Sequence, residues 1–343
     1  MERRTAGPAA RSAGTVAPSS RRLVVTGGAG FIGANLCRSL CRHPGTEVVV
    51  VDDFSTGRAD NLDDVDGVEV VIGSILDADL LADVVGGAEA VVHLAARPSV
   101  ARSIEDPQAT HDTNATGTLR VLEAARAAGN VHVVVASSSS VYGSNDVLPA
   151  HERLPVAPLS PYAASKVATE AYALAYQRSF DLPVTVFRFF NVFGPLQRAD
   201  HAYAAVIPAF VSAALAGRPL PVHGDGSQTR DFTFVGSVTR VLEAAVTERV
   251  VAPGPINLAF GGRCSILELV RTLESVVGHP LTVVHGPSRA GDVHDSQADQ
   301  RLLRSLFAAA EPVSLAEGLR QTVDWFRRSA EAMASVPPAS AAS

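Results

Sequence analysis

Arg22-Leu23-Val24-Val25-Thr26-Gly27-Gly28-Ala29-Gly30-Phe31-Ile32-Gly33 opens on a short apolar run and breaks at once into glycines. Residues 34–41 then follow helical spacing, so the order is strand, glycine turn, helix. That context is what gives a glycine-rich pattern meaning. With Gly27, Gly30 and Gly33 at this spacing, backbone can approach a pyrophosphate, which sits on the free N–H groups of the helix start. An ordinary strand–helix turn also uses glycine, and the next element decides between the two. Glu47-Val48-Val49-Val50-Val51-Asp52-Asp53 is a buried-strand run closing on acids, with Asp52 19 residues after Gly33. A carboxylate there accepts from the adenine-ribose hydroxyls. Two adjacent acids would repel a 2′-phosphate, which favours NAD over NADP, although nearby Arg58 leaves the second open. Asp60, Asp63, Asp64 and Asp66 have no ligand spacing and read as a solvated loop.

Further β-branched or aromatic runs fall at 68–73, 90–96, 131–136 and 184–191, separated by helical patterns, notably 117–128 and 161–180. This alternation specifies an α/β fold, a doubly wound parallel Rossmann sheet. In such sheets ligands bind beyond the carboxyl ends of the strands. The glycine loop, Asp52, Ala95-Ala96, Ser137-Ser138 and Asn191 all fall at those ends, so one cleft would collect them. Beyond Gly194 the pattern weakens into shorter helices (204–216, 266–277), the expected smaller C-terminal α/β substrate domain. The expected division is a tail at 1–21, an NAD-binding domain at 22–190, a substrate domain at 191–330 and a tail at 331–343. A segment near 232–260, with Pro255-Ile256-Asn257-Leu258-Ala259-Phe260 as a strand, is expected to return to the main sheet.

The 343 residues allow an ample core, and 47% hydrophobic with 19% charged residues describe a globular chain. A formal charge of −6 argues against general binding to nucleic acid or anionic membrane. Cys37, Cys41 and Cys264 form no disulfide framework, which suits a cytoplasmic protein. No apolar run approaches the ~18 residues that span a bilayer. No metal is expected, since the ten histidines and the cysteines show no zinc spacing. His93, closing a buried strand, reads as a structural histidine.

Among 29 lysines and arginines there is one lysine, Lys166, in Tyr162-Ala163-Ala164-Ser165-Lys166. Tyr162 precedes it by one helical turn, on the same face. A phenol ionises near ~10, and a neighbouring ammonium favours the phenolate, which makes a general base nearer neutral pH. Alone, the pattern fits a surface tyrosine and a stray lysine equally well. Pro161 at the helix start and Ser160 as its cap place the pair just after the strand that carries Ser137-Ser138. Tyr142 has no lysine four residues on and reads as structural.

With these blocks assembled, the chain resembles the extended short-chain dehydrogenase/reductases, specifically the NAD-dependent nucleotide-sugar epimerases, over roughly residues 22–330. The resemblance rests on residues 26–33, His93-Leu94-Ala95-Ala96, Asn114-Ala115-Thr116-Gly117-Thr118-Leu119, 137–143 and 160–166. It continues through Arg188-Phe189-Phe190-Asn191-Val192-Phe193-Gly194-Pro195, 202–208, 224–232 and 289–299. It implies that Tyr162 takes the proton of the sugar 4-hydroxyl while NAD oxidises C4. Lys166 lowers the Tyr162 pKa and holds the nicotinamide ribose, and Ser138 bonds the 4-oxygen. It further implies NAD contacts at Gly27, Gly30, Phe31, Ile32, Gly33, Asp52, Asp53, Ala95, Ala96, Asn114, Tyr162, Lys166 and Phe189. The UDP-sugar would meet Ser99, Val100, Ser138, Ser139, Ser140, Tyr162, Asn191, Arg230, Arg289, Asp292 and Ser296. A homodimer through the helices near 110–128 and 161–180 is implied as well.

Related dehydratases place an Asp-Glu pair after the catalytic hydroxyl, and related decarboxylases a Glu near the Val-Tyr-Gly segment. Ser139 and Ser140 cannot act as acids, so simple 4-epimerisation is favoured. Asn191, where glucuronate epimerases resemble Phe-Phe-Thr, favours a neutral hexose or N-acetylhexosamine. Arg230 and Arg289 resemble the diphosphate-binding arginines and Asp292 the acid beside the uridine ribose. Ser296 stands where a bulky tyrosine is associated with excluding N-acetyl groups, so UDP-GlcNAc and UDP-GalNAc are expected alongside UDP-Glc and UDP-Gal. Ser74 replaces a usual adenine-contacting Asp. Three alternatives stay open: a modified UDP-sugar, UDP-glucuronate, or a Rossmann sensor that binds dinucleotide without turnover.

Overall fold

The computed structural model describes residues 21–199, 204–287 and 293–335. Arg289, Asp292, residues 1–20 of the expected tail at 1–21 and residues 336–343 of that at 331–343 lie outside the described residues. Seven parallel strands form the central sheet in the order β11-β6-β5-β4-β1-β2-β3. They are β1 (Arg21–Thr26), β2 (Thr46–Asp52), β3 (Val68–Ile72), β4 (Ala90–His93), β5 (His132–Ser138), β6 (Val184–Phe189) and β11 (Ile256–Leu258). The first six make the doubly wound order of a dinucleotide fold, and β11 extends it beside β6. The intervening short strands are β7 (Val192–Phe193), β8 (Leu220–His223), β9 (Thr229–Arg230) and β10 (Thr233–Phe234). Two more, β12 (Cys264–Ser265) and β13 (Val283–Gly286), complete the small pairs outside the sheet.

Helices α1 (Phe31–Leu40), α2 (Ala78–Val85), α3 (Val100–Glu105), α4 (Pro107–His111), α5 (Gly117–Ala127) and α6 (Pro161–Phe180) cross over between sheet strands. α7 (Val206–Leu215), α8 (Val235–Thr247), α9 (Ile266–Val277), α10 (Arg301–Leu306) and α11 (Leu315–Ser335) follow. The valines of β1, β2, β4 and β5 are buried because both sheet faces are covered. α1 and α8 close one face, through Leu36, Val238 and Leu242. α2, α5 and α6 close the other, through Leu81, Val121 and Ala173. A separate core forms where α7, α9 and α11 enclose β8, around Phe210, Leu269 and Val323.

The strand ends differ in detail from the sequence reading. β4 stops at His93 and β6 at Phe189, so Ala95, Ala96 and Asn191 stand on loops just beyond the strands. Asn191 has φ 34°, which breaks the extended backbone. Residue 21, assigned to the leading tail, begins β1, where its N–H donates to the Gly45 carbonyl at 2.7 Å. α11 runs past 330 because Ala330-Glu331-Ala332-Met333-Ala334 is made of strong helix formers. α8 and β11, within the segment expected to return near 232–260, pack into the sheet core with Val241 and Ile256, and α10 joins them through Leu303. Among the described residues no helix is long and apolar enough to cross a membrane.

Candidate active site

Gly27 leaves β1 at φ 71°, and a Cβ there would stand 2.6 Å from the Ala95 nitrogen. At Gly33 a Cβ would stand 2.2 Å from the Gly27 carbonyl oxygen. The turn and the first turn of α1 close on each other only because both positions lack side chains. Gly30 caps α1 with no side-chain acceptor for the first-turn N–H groups. These residues line a cavity of about 360 Å³ along the carboxyl ends of the strands. Asp52 and Asp53 stand at the β2 side of β1. Ala95, Ala96, Ser138, Tyr162, Lys166 and Phe189 stand toward β5 and β6. The Asp52 carboxylate accepts from the Ala29 and Phe54 N–H groups, each at 2.9 Å, and so ties the glycine turn to the end of β2. Burial raises its pKa, and those two bonds oppose the rise.

Ser138 ends β5 and Tyr162 opens α6. The helix starts there because Ser160 Oγ accepts from the Ala163 N–H at 3.1 Å and Pro161 presets the first turn. Ser138 Oγ accepts from Ser140 Oγ at 2.9 Å and from the Ser140 N–H at 3.2 Å. Lys166 is 5% exposed, and its Nζ donates to the Ala136 carbonyl at 2.8 Å. Burial brings its pKa down to about 8, against the opposing pull of Glu170. The Tyr162 phenol is pushed up by burial, and the hydrogen bond to Ser138 is the opposing influence. Lys166 Nζ is thus engaged by the β5 backbone, and burial is the largest influence on the phenol.

A second cavity adjoins the first at Ser138, Phe189 and Asn191. It includes Val100, Ser139, Ser140, Arg230 and Ser296 on its wall. A third runs from Asn191 and Arg230 past Gln228 to Val206 and Val222. Asn191 touches all three and Arg230 joins the second to the third. Arg230 is held by the carbonyls of Thr229 and His294, at 2.8 and 2.9 Å. The three cavities thus share walls, with Asn191 common to all of them and Ser138 to the first two.

Residues 23–259 match the model of the NAD dependent epimerase/dehydratase family. The chain belongs to this family. A UDP-glucose 4-epimerase of Mycolicibacterium smegmatis is 41% identical, over 90% of this chain and the whole of that protein. The structure of a UDP-N-acetylglucosamine 4-epimerase from Methanobrevibacter ruminantium, in complex with UDP-N-acetylmuramic acid, superposes with a TM-score of 0.86 at 33% identity. It covers 91% of this chain and 99% of its own. A UDP-glucuronic acid 4-epimerase from Bacillus cereus, solved with UDP-glucuronic acid and NAD, gives 0.81 at 31% identity, covering 90% and 99%.

As a member of the epimerase/dehydratase family the protein uses NAD. The first cavity fits it: a cradle that any Cβ would fill, a helix N-terminus, and paired acids beyond the second strand. Two expected contacts, Asn114 to NAD and Ser99 to the sugar, are not on the cavity walls. Asn114 is 1% exposed, takes the Arg97 N–H at 2.8 Å and donates to Ser165 Oγ at 2.9 Å, so it braces α6 from behind. Ser99 caps α3 at φ 93°, and only its neighbour Val100 reaches the second cavity. Ser74 likewise turns away from the wall, which Gly73 and Ile75 supply, and accepts from the Leu76 N–H at 3.2 Å. His93 is structural, bonded to Thr26 Oγ1 at 2.7 Å and Thr118 Oγ1 at 3.0 Å, with its pKa brought down to about 3 by burial. Tyr142 donates to Asn257 Oδ1 at 2.6 Å. Sequence reasoning missed Thr56, Pro98 and Thr113 on the first cavity and Gln228 and Val222 on the third. Only Gln228 lay in a block already marked by the resemblance; the others carry no chemical signature of their own.

Proposed function

We propose that this protein interconverts the C4 epimers of UDP-hexoses, N-acetylated ones included, and keeps NAD through turnover. The observation that carries this reading is the convergence of Ser138, Tyr162 and Lys166 on the wall of the glycine-cradled cavity, at its junction with the second one. NAD, when bound, supplies a reversible two-electron oxidation of the C4 carbinol, and its ring is a positive charge that favours a nearby phenolate. Tyr162 takes the 4-hydroxyl proton and returns it to the other epimer. Ser138 donates a hydrogen bond to the 4-oxygen, itself supported by Ser140. Lys166, fixed to the Ala136 carbonyl, keeps a positive charge beside the reacting centre. Between the two proton transfers the 4-keto sugar turns over, within a cavity of about 380 Å³. Arg230, and in the same reading Arg289 and Asp292, hold the nucleotide end while the sugar moves. A homodimer through α5 and α6 belongs to this reading too.

Elimination of water needs a carboxylic acid able to give its proton, and the described wall of the sugar cavity offers none in that state. Ser139 and Ser140 follow Ser138, and the one carboxylate on the described wall is Asp295. Thr229 and His294 hydrogen-bond it and bring its pKa down to about 2, so it stays ionised. This favours epimerisation over the dehydratase chemistry of the family.

Incubation of the NAD-bound protein with UDP-GlcNAc should yield UDP-GalNAc, and UDP-Glc should yield UDP-Gal. No epimerisation of any UDP-sugar would overturn the reading, and turnover of UDP-glucuronate alone would overturn its neutral-sugar part. Ser296 sets the second test. Its small side chain is on the sugar-cavity wall, anchored by its N–H to the Thr229 carbonyl at 3.1 Å. Ser296→Tyr fills that space, so kcat/KM for the acetylated pair should fall by ~100-fold, as for a substrate group denied its pocket. The plain pair should keep most of its rate. Equal loss of both would remove Ser296 as the gate.

A further inference from the structure

Glu170 is 5% exposed, and the reaction as proposed gives its carboxylate no part. It stands one helical turn beyond Lys166 on α6, so the two side chains share a face. Its Oε1 accepts from Ser137 Oγ at 2.6 Å and from Arg188 Nε at 2.8 Å, and its Oε2 from Arg188 Nη2 at 2.7 Å. Ser137 is the residue before Ser138, and Arg188 is on β6 with its guanidinium over the Tyr142 ring, 4.7 Å from the centroid. α6 therefore grips the end of β5 twice, through Lys166 to the Ala136 carbonyl and through Glu170 to Ser137. Ser138 enters the cavity from the strand so held, and Tyr162 from the helix that holds it.

We propose that Glu170 is a positioning residue for Ser138, Tyr162 and Lys166, clamping the end of β5 to α6 and supplying the buried counter-charge for Lys166. The inference rests on the proposed function for its kinetic consequence, and on geometry for the rest. The groups that face Lys166 are Tyr162 and Glu170 from α6, His93 from β4 and, bonded to Glu170, Arg188 from β6. β5 brings the Ala136 carbonyl and serine hydroxyls. His93 is held neutral by burial. Among these groups Glu170 is the one that opposes the loss of the Lys166 proton, while burial promotes it. Removing the carboxylate charge should let the ammonium titrate at lower pH.

The chain makes this directly measurable, because Lys166 is its sole lysine. In NAD-bound protein labelled with [ε-13C]lysine, one resonance reports its protonation. Glu170→Gln should move the titration midpoint down by roughly one pH unit, the order of effect of a nearby opposite charge. The alkaline fall-off of kcat should move with it, leaving KM for the UDP-sugar little changed. Glu170→Gln/Arg188→Met removes both charges and spares the fold an unpaired buried guanidinium. Its midpoint should also be low. An unchanged midpoint in the single variant overturns the proposal. So does a wild-type midpoint in the double variant, which carries the test alone if the single one does not fold. A wild-type protein that turns over no UDP-sugar would remove the proposed function while the lysine titration still reads Glu170.

Discussion

Tyr162→Phe is expected to lower kcat by ~10²–10⁴-fold, the range lost with a positioned general acid–base, while NAD content and the KM of the UDP-sugar stay near wild type. The substitution keeps the ring and removes only the hydroxyl, on which Ser138 acts to oppose the effect of burial. No backbone bond depends on that hydroxyl, so the melting temperature should hold. The result would correspond to about 3–5 kcal/mol of barrier, more than a neutral hydrogen bond contributes to binding. Tyr142→Phe is the matching control. It leaves buried Asn257 Oδ1 without the phenol at 2.6 Å, which should cost about 1–3 kcal/mol of stability and little turnover. Steady-state kinetics with a thermal melt on both variants separates the roles. Near-normal kcat in Tyr162→Phe would mean that another group moves the 4-hydroxyl proton.

The two tyrosines also mark what the sequence could tell. A lysine one turn beyond Tyr162, and none beyond Tyr142, distinguished them without coordinates, because helix periodicity fixes which side chains share a face. The parallel sheet was legible for the same kind of reason: a valine run of β2 type buries both faces only in a parallel sheet wrapped by helices. Where the chain leaves regular structure, that logic stops. Asn114 looked like a cofactor contact, yet its amide is spent on Arg97 and Ser165. Thr113 beside it, with no pattern to recommend it, is on the wall. Which of two neighbours faces a cavity was not decided by residue type alone. The same holds for electrostatics. Spacing put Lys166 beside Tyr162 but could not reveal the Ala136 carbonyl that engages the ammonium or the burial that raises the phenol. Glu170 was invisible as anything but a helix residue, since its partners come from β5 and β6.

Gly33→Ala should be among the most damaging single methyls that can be added near the cofactor cavity. The new Cβ would stand 2.2 Å from the Gly27 carbonyl oxygen and 2.7 Å from Gly28 Cα. Both are backbone atoms, so no side chain can swing aside, and either the turn or the start of α1 must move. The turn has little room to do so. Gly27 is packed against the backbone of residues 94–95, and Ala29 is tied to Asp52, whose other oxygen fixes Phe54. Moving α1 instead would open its contact with α8 in the main core, where Leu36 and Val238 are fully buried. Overpacking of this kind costs about 1–3 kcal/mol, so the apoprotein should still fold with a lowered melting temperature. The cofactor should suffer more, because the displaced turn withdraws the backbone that a pyrophosphate approaches. Purified Gly33→Ala should carry far less NAD than wild type by absorbance after denaturation, and added NAD should raise its melting temperature less. Gly45, with open space around it, is the control: Gly45→Ala meets no atom within 4 Å, so its cost is the backbone strain of φ 78° alone, with NAD content unchanged. Wild-type NAD content in Gly33→Ala would show that the cradle is wider than its glycines require, and would separate the fold of this turn from its binding role.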